Sequence, residues 1–165
     1  MENAPFPQSR FALIPILIIP LLTGCHSNGP IDPFILKVFQ PLPSHFHSAA
    51  NLSTPEKIAL GRLLFFEPRL SLDRDLSCQS CHPLDRFGAD GKSLSPGHKG
   101  VLGRRNSPTV LNAAGQSSQF WDGRAETVEA QAMGPVLNPV EMAMPSGAEA
   151  VKILSSIPGY VTAFR

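Results

Sequence analysis

The chemistry this sequence is best equipped for lies in five consecutive residues, Cys78-Gln79-Ser80-Cys81-His82. Two cysteines three positions apart can each form a thioether to one edge of a single haem, while the adjacent histidine ligates the iron from below. Covalent attachment lets a small domain hold the cofactor without a large pocket. The competing readings of Cys-x-x-Cys are a zinc half-site and a redox dithiol. Zinc needs two further ligands, and no second Cys/His pair stands at ligand spacing. The immediate His82 favours haem. What the iron then does depends on its other face: Met or His there suits an electron carrier, whereas a peroxidase needs an openable position with acid/base help nearby. The candidates are Met133, Met142, Met144 and His98, the last in Ser95-Pro96-Gly97-His98-Lys99-Gly100. Composition does not choose among them.

The elements that must position these residues are short. A chain of 165 residues holds one domain of ordinary size. Its 17 prolines and 13 glycines predict short helices joined by long ordered loops, because proline removes an amide donor and ends helices. Alternation of apolar and polar residues is too brief for strands. The expected fold is therefore all-α with a thin core, a class that relies on a cofactor, metal or disulfide. A first helix is predicted from Ser53-Thr54-Pro55-Glu56, capped by Thr54 with Pro55 at the first position or by a Ser53/Glu56 capping box. It runs through Ile58, Leu60, Leu63 and Leu64 and stops near Glu67-Pro68. A second is predicted from about Arg124 to Met133, ended by Gly134-Pro135. A third starts at Ser146 with Glu149 as a capping box and buries Val151 and Leu154, until Ile157-Pro158-Gly159 breaks it. Tyr160 to Arg165 reads as the first turns of a further helix, with Tyr160 and Phe164 on one face. Six residues do not sustain a helix alone, so the sequence is expected to be incomplete at Arg165.

The N-terminus reads as an address. Arg10 precedes twelve apolar residues, Phe11 to Leu22, which rise only about 18 Å as a helix and are interrupted by Pro15 and Pro20. Residues 1–24 are read as a lipoprotein-type signal peptide, with Leu22-Thr23-Gly24-Cys25 resembling a lipobox and Cys25 the acylated residue. Residues 25–52, with four prolines, read as a tether or an arm lying on the domain. His26, His45 and His47 are expected to be solvated loop histidines. Export to the periplasm or cell envelope, with a lipid anchor in the membrane, is the expected location. A net charge of +1 without a basic face argues against nucleic acid as a partner.

Five segments then follow one another in order. They are Leu60-Gly-Arg-Leu-Leu-Phe-Phe-Glu-Pro-Arg-Leu-Ser71, the haem motif, Gly103-Arg-Arg-Asn-Ser-Pro-Thr-Val-Leu-Asn112, Phe120-Trp-Asp-Gly-Arg124 and Gly134-Pro-Val-Leu-Asn-Pro-Val-Glu-Met142. From about residue 53 onward the chain resembles the N-terminal, peroxidatic haem domain of the bacterial di-haem cytochrome c peroxidases, a group that includes MauG-like proteins. The resemblance implies a cytochrome c-like domain at 53–165, with short helices and long loops around one covalently attached haem c. His82 resembles the proximal ligand, and His98 the distal histidine that closes the iron at rest and swings away on activation. Glu141 resembles the distal-pocket glutamate, placed to take a proton from peroxide and return it to the departing oxygen. Trp121 resembles the tryptophan between the two haems, an electron relay; simple core packing is the compatible alternative reading. Asn106 resembles a ligand of Ca2+, an ion that wants six to eight oxygens, the rest of which the family draws from a second domain.

That second domain has its own Cys-x-x-Cys-His, which this sequence lacks. Electron input, Ca2+ and activation are accordingly expected to be incomplete in this chain alone. The resemblance implies reduction of hydrogen peroxide with electrons from a small exported donor such as a cytochrome c or cupredoxin, and a homodimer for the complete family protein. His98 favours the reductively activated peroxidases over MauG-like members. Two other readings compete: a mono-haem electron-transfer cytochrome c closed by His82 and His98, and an inactive fragment of a di-haem peroxidase.

Overall fold

The computed structural model describes residues 29–46, 48 and 50–165. The apolar stretch, Cys25, His26 and His47 lie outside the described residues. The chain divides into two compact units, Met1–Leu42 and Pro43–Arg165. In the first, helix α1 (Pro33–Val38) begins where the Asp32 carboxylate accepts the Phe34 amide, so part of the stretch read as a tether is helical.

The second unit is all-α. Its β pairing among the described residues is limited to isolated bridges, such as Pro96 with Leu102 and Gln119 with Ala125. Helix α2 (Pro55–Phe65) starts at Thr54, whose hydroxyl accepts the Lys57 amide at 3.2 Å with Pro55 in the first position; Thr54 is thus the cap, and Ser53 is not. A single turn, α3 (Cys78–Cys81), carries the two cysteines.

Helix α4 (Val128–Leu137) departs from expectation at both ends. It begins four residues late because the chain at Ala125 is still extended, its carbonyl accepting the Gln119 amide at 2.7 Å. Thr127 then caps it through the Ala130 amide. It also continues through Gly134-Pro135, since a proline costs only one helical donor and the next turn closes by Asn138 N–H to Gly134 O at 3.0 Å.

Helix α5 (Gly147–Ser155) is capped by Ser146, which accepts the Glu149 amide. Ala150, Ile153 and Leu154 turn inward at i, i+3, i+4. Val151, expected inside, falls off that stripe and is 63 % exposed. The expected break falls after Ser155, and Pro158 opens helix α6 (Pro158–Ala163), where proline suits the first position. Tyr160 is buried there, whereas Phe164, its expected companion, is exposed.

The apolar core is small: Val136, Met142, Met144 and Ala150, with Leu70 and Ile153 packed against them. A buried polar network extends it. Glu67 receives the Arg69 guanidinium at 2.6 Å on each carboxylate oxygen and the Tyr160 hydroxyl at 2.8 Å. The Arg69 guanidinium also lies over the Tyr160 ring, 5.9 Å from its centroid. Arg69 holds the Glu67 carboxyl down at about 2, against the opposing effect of burial. Burial, and then the bond to Glu67, push the Tyr160 phenol up to about 12. One network thereby ties α6 to the turn after α2.

Candidate haem site

The haem motif is built on one helical turn that its own serines stabilise. Ser77 N–H donates to Ser80 Oγ at 3.0 Å, and His82 N–H closes the turn onto Cys78 O at 2.9 Å. The two sulfurs therefore sit one turn apart with His82 directly after. His82 Nδ1 lies 3.1 Å from Gly88 O and 3.0 Å from Pro108 O. Both neighbours only accept, so Nδ1 carries the proton and Nε2 keeps the lone pair that a metal needs. The two carbonyls come from separate loops that are locked together. Val110 N–H donates to Gly88 O, and Thr109 Oγ1 to Phe87 O at 2.5 Å. Gly88 is required at this junction: its φ is +72°, and a Cβ there would meet Val110 Cγ2 at 2.8 Å.

Two further loops close on the motif. Cys81 Sγ lies 3.8 Å from Pro96 O, and Ser95 Oγ is 2.7 Å from Ser107 Oγ. His98 follows immediately. Its amide points at Val140 O (3.0 Å) and Glu141 O (2.7 Å), so the His98 and Glu141 segments touch along their backbones. Gly97 allows this approach: a Cβ would stand 2.0 Å from Val140 O. Glu141 is half-buried, and its Oε1 accepts Asn138 Nδ2 at 2.8 Å. Asn138 in turn takes the Val140 amide on its own side-chain oxygen, which fixes the loop that presents Glu141.

Electrostatics bring the same groups together. Burial pushes the Cys78 and Cys81 thiols up, and at Cys81 the carboxylates of Asp90 and Glu141 push further. A raised thiol is the opposite of an activated redox dithiol, which disfavours that chemistry. Among the described residues no group of three or more His, Cys, Asp or Glu assembles to hold a metal ion by itself. The residues do fit haem c: two neutral thiols one turn apart, an imidazole with its Nε2 available, and two buried polar atoms, Asp90 Oδ2 and His98 Nδ1, without hydrogen-bond partners among the described residues.

The remaining candidates sit elsewhere. Met142 and Met144 pack the core, and Met133 is exposed. Trp121 is 58 % exposed and donates Nε1–H to Asn106 O at 3.0 Å, which pairs it with the proposed calcium residue. Asn106 is itself exposed and lines a depression together with Lys92 and Ser107. These residues alone do not supply the six to eight oxygens that Ca2+ asks for.

A model of the di-haem cytochrome c peroxidase family matches residues 55–165. The chain belongs to the di-haem cytochrome c peroxidase family. It is 42% identical over 139 residues to the cytochrome c peroxidase Ccp of Escherichia coli K12, covering 84% of this chain and 27% of that protein. It is 45% identical over 130 residues to the cytochrome c551 peroxidase of Pseudomonas aeruginosa, covering 78% and 37%. The methylamine utilization protein MauG of Methylorubrum extorquens is 44% identical over 119 residues, covering 72% and 33%. Among solved structures, a MauG-like protein associated with microbial copper homeostasis superposes with a TM-score of 0.65 at 32% identity, over 74% of this chain and 37% of that one. The diheme peroxidase BthA of Burkholderia thailandensis gives 0.58 at 32%, over 64% and 30%. The chain thus spans roughly a third of the length of the curated relatives it matches. Family membership implies haem c, and the all-α expectation agrees with these neighbours.

Three residues of the site were not singled out from sequence: Asp73, Asp90 and Asn138. Asn138 had a readable signal, an Asn-Pro-x-Glu turn that places Asn and Glu three apart. Asp73 and Asp90 had none, since an acid in a charged Asp-Arg-Asp run or beside a loop glycine reads as solvated.

Proposed function

We propose that this chain is the peroxide-facing haem unit of a cytochrome c peroxidase, reducing hydrogen peroxide to water with electrons from a small exported donor such as a cytochrome c or cupredoxin. Cys78 and Cys81 would hold the haem, His82 Nε2 would ligate its iron, and His98 would be the second histidine available to it. When bound, haem c supplies a redox-active iron that accepts electrons and passes them to peroxide. The chain's own residues then manage protons and access. Glu141 takes a proton from hydrogen peroxide on its carboxylate and returns it to the departing oxygen, Asn138 holds that carboxylate in place, and His98 controls entry. Trp121, held at its indole N–H by Asn106, is the electron relay. Asn106 would give Ca2+ one oxygen among several supplied from elsewhere.

The observation that carries this reading is the contact of the His98 amide with Val140 O and Glu141 O, beside Cys81. This proximity of His98, Glu141 and Cys81 supports assigning them to gating, proton transfer and haem attachment. Glu141→Gln, in holoprotein joined to a second haem domain of the family, is expected to leave the haem spectrum unchanged and slow peroxide reduction by about 10²–10⁴-fold. Turnover at the wild-type rate would remove Glu141 from the mechanism. Donor oxidation without peroxide consumption would point instead to an electron carrier.

Residues 1–24 are proposed as a lipoprotein signal peptide that exports the chain to the periplasm, with Cys25 acylated. Among the described residues no helix is long and apolar enough to cross a membrane.

A further inference from the structure

We propose that Asp73 is a positioning residue for His98, accepting its Nδ1–H and thereby aiming Nε2 at the iron. This rests on the reading above, in which His98 faces the haem.

His98 Nδ1 is buried and makes no hydrogen bond among the described residues. Asp73 Oδ2 lies 3.5 Å from it, within ion-pair distance and just short of a bond. The two halves of this pair differ in freedom. The His98 side chain is largely enclosed, and its amide is fixed between two carbonyls. The Asp73 side chain is 43 % exposed and can rotate the few tenths of an ångström that remain.

Asp73 is nonetheless not a loose surface acid, because its backbone is built into place. Ser71, only 1 % exposed, donates its hydroxyl to Pro68 O at 2.8 Å and accepts the amides of Asp75 at 3.1 Å and Leu76 at 3.0 Å. Arg74 completes the turn in the left-handed region, at φ +60°. The neighbouring Leu72 amide donates to Met142 O at 2.9 Å. Segment 71–76 is therefore bonded to the Glu141 segment, which is bonded to His98. Three stretches of chain share one frame, and in it the Nδ1 edge of the imidazole faces a carboxylate.

The chemistry follows from the two nitrogens of a neutral imidazole. One carries hydrogen and the other a lone pair, and a carboxylate beside Nδ1 puts the hydrogen there. Nε2 is then the ligating atom, and the carboxylate makes it a stronger donor. The site would thus hold both axial histidines by Nδ1, His82 through neutral carbonyls and His98 through a charged acid.

The test uses ferric holoprotein and two readouts independent of turnover: the low-spin fraction by optical and electron paramagnetic resonance spectra, and the rate of cyanide binding, which requires His98 to leave. Asp73→Ala is expected to raise the high-spin fraction and to speed cyanide binding by about 10–100-fold, the usual effect of losing such a partner. Asp73→Asn keeps the size and a neutral acceptor, guards against a folding artefact, and should fall between wild type and Asp73→Ala. In a His98→Gly background, Asp73→Ala should add nothing. If His98→Gly abolishes the low-spin signal but the Asp73 variants match wild type, the positioning role is wrong while the His98 reading stands. If His98→Gly leaves the wild-type spectrum unchanged, the His98 reading itself falls, and this proposal with it. Equal acceleration by Asp73→Ala with and without His98 would also overturn the role.

Discussion

Removing the Tyr160 hydroxyl is a test of what holds the C-terminal helix to the rest of the unit. Tyr160 is buried and donates to Glu67 Oε2 at 2.8 Å, a carboxylate that is 5 % exposed. A hydrogen bond to a charged group is worth about 1.5–3 kcal/mol, so Tyr160→Phe should cost about 2 kcal/mol. Its ring packing is retained, and Arg69 still holds both oxygens of Glu67. Glu67→Gln acts differently, because it removes the charge. In the folded state Glu67 titrates at about 2 instead of 4.5, which at 1.36 kcal/mol per decade caps its contribution near 3 kcal/mol. The Arg69 side chain is 42 % exposed and water screens the pair, which reduces this to about 2 kcal/mol. The sign follows from a depressed carboxyl: the stabilisation is complete above pH 4.5 and is lost as pH falls toward 2. Urea unfolding of the holoprotein, followed by far-UV circular dichroism between pH 7 and pH 2.5, gives both numbers. Acid also releases the haem ligands, so the quantity to read is wild type minus Glu67→Gln, which should shrink across that window. A difference that stays constant with pH, or a Tyr160→Phe variant within 0.5 kcal/mol of wild type (about the spread of surface substitutions), would refute the network as a stabilising unit.

Gly97→Ala should destabilise the holoprotein by about 1–3 kcal/mol and shift its ferric spectrum toward high spin, because the new Cβ would stand 2.0 Å from Val140 O and must push the His98 loop away; thermal unfolding and optical spectra read both. A Cys78→Ala, Cys81→Ala double variant should lose the haem peroxidase stain that the wild type keeps after denaturing electrophoresis, and a stain retained by the variant would end the covalent-haem assignment. Cys25→Ser should abolish fatty-acid labelling and release the chain from membranes, to which each buried CH₂ of an acyl chain contributes roughly 0.8 kcal/mol; an unlabelled, unbound wild type would count against the anchor.

Much of the fold was legible where local chemistry decides the outcome. Thr54-Pro55 and Ser146 start helices because a side-chain oxygen meets an amide two or three residues on, and sequence displays both partners. The ends of α4 were misread because distant residues set them. Ala125 is held extended by Gln119, and Gly134-Pro135 is carried inside a helix whose last turn has other bonds. Val151 was placed inside on apolarity alone, although a stripe through Ala150, Ile153 and Leu154 excludes it. Within the site, the haem motif was visible because three functional groups are contiguous. The juxtaposition of His98 and Glu141 depends on a contact between loops 43 residues apart in sequence, and only the family resemblance pointed to it. Asp73 and the Glu67–Tyr160 bond lay beyond both kinds of signal.

The site's precision rests on backbone contacts more than on packing, and that has a mutational consequence. The apolar core is a handful of residues around Met142 and Met144, while the loops bearing His82, His98 and Glu141 are joined by amide and carbonyl groups. Such joints tolerate little change where a Cβ would separate them, as at Gly88 and Gly97, or where a buried hydroxyl organises several amides, as at Ser71. The outer faces of the helices are permissive by comparison, since Ile58, Leu63 and Val151 are exposed in this chain. A loop framework pinned by its backbone also explains how one segment can serve two tasks. The Val140–Glu141 peptides receive the His98 amide while the Glu141 side chain is braced separately by Asn138. In the proposed function, holding His98 and leaving Glu141 free to act are compatible because main chain does the first and side chain the second.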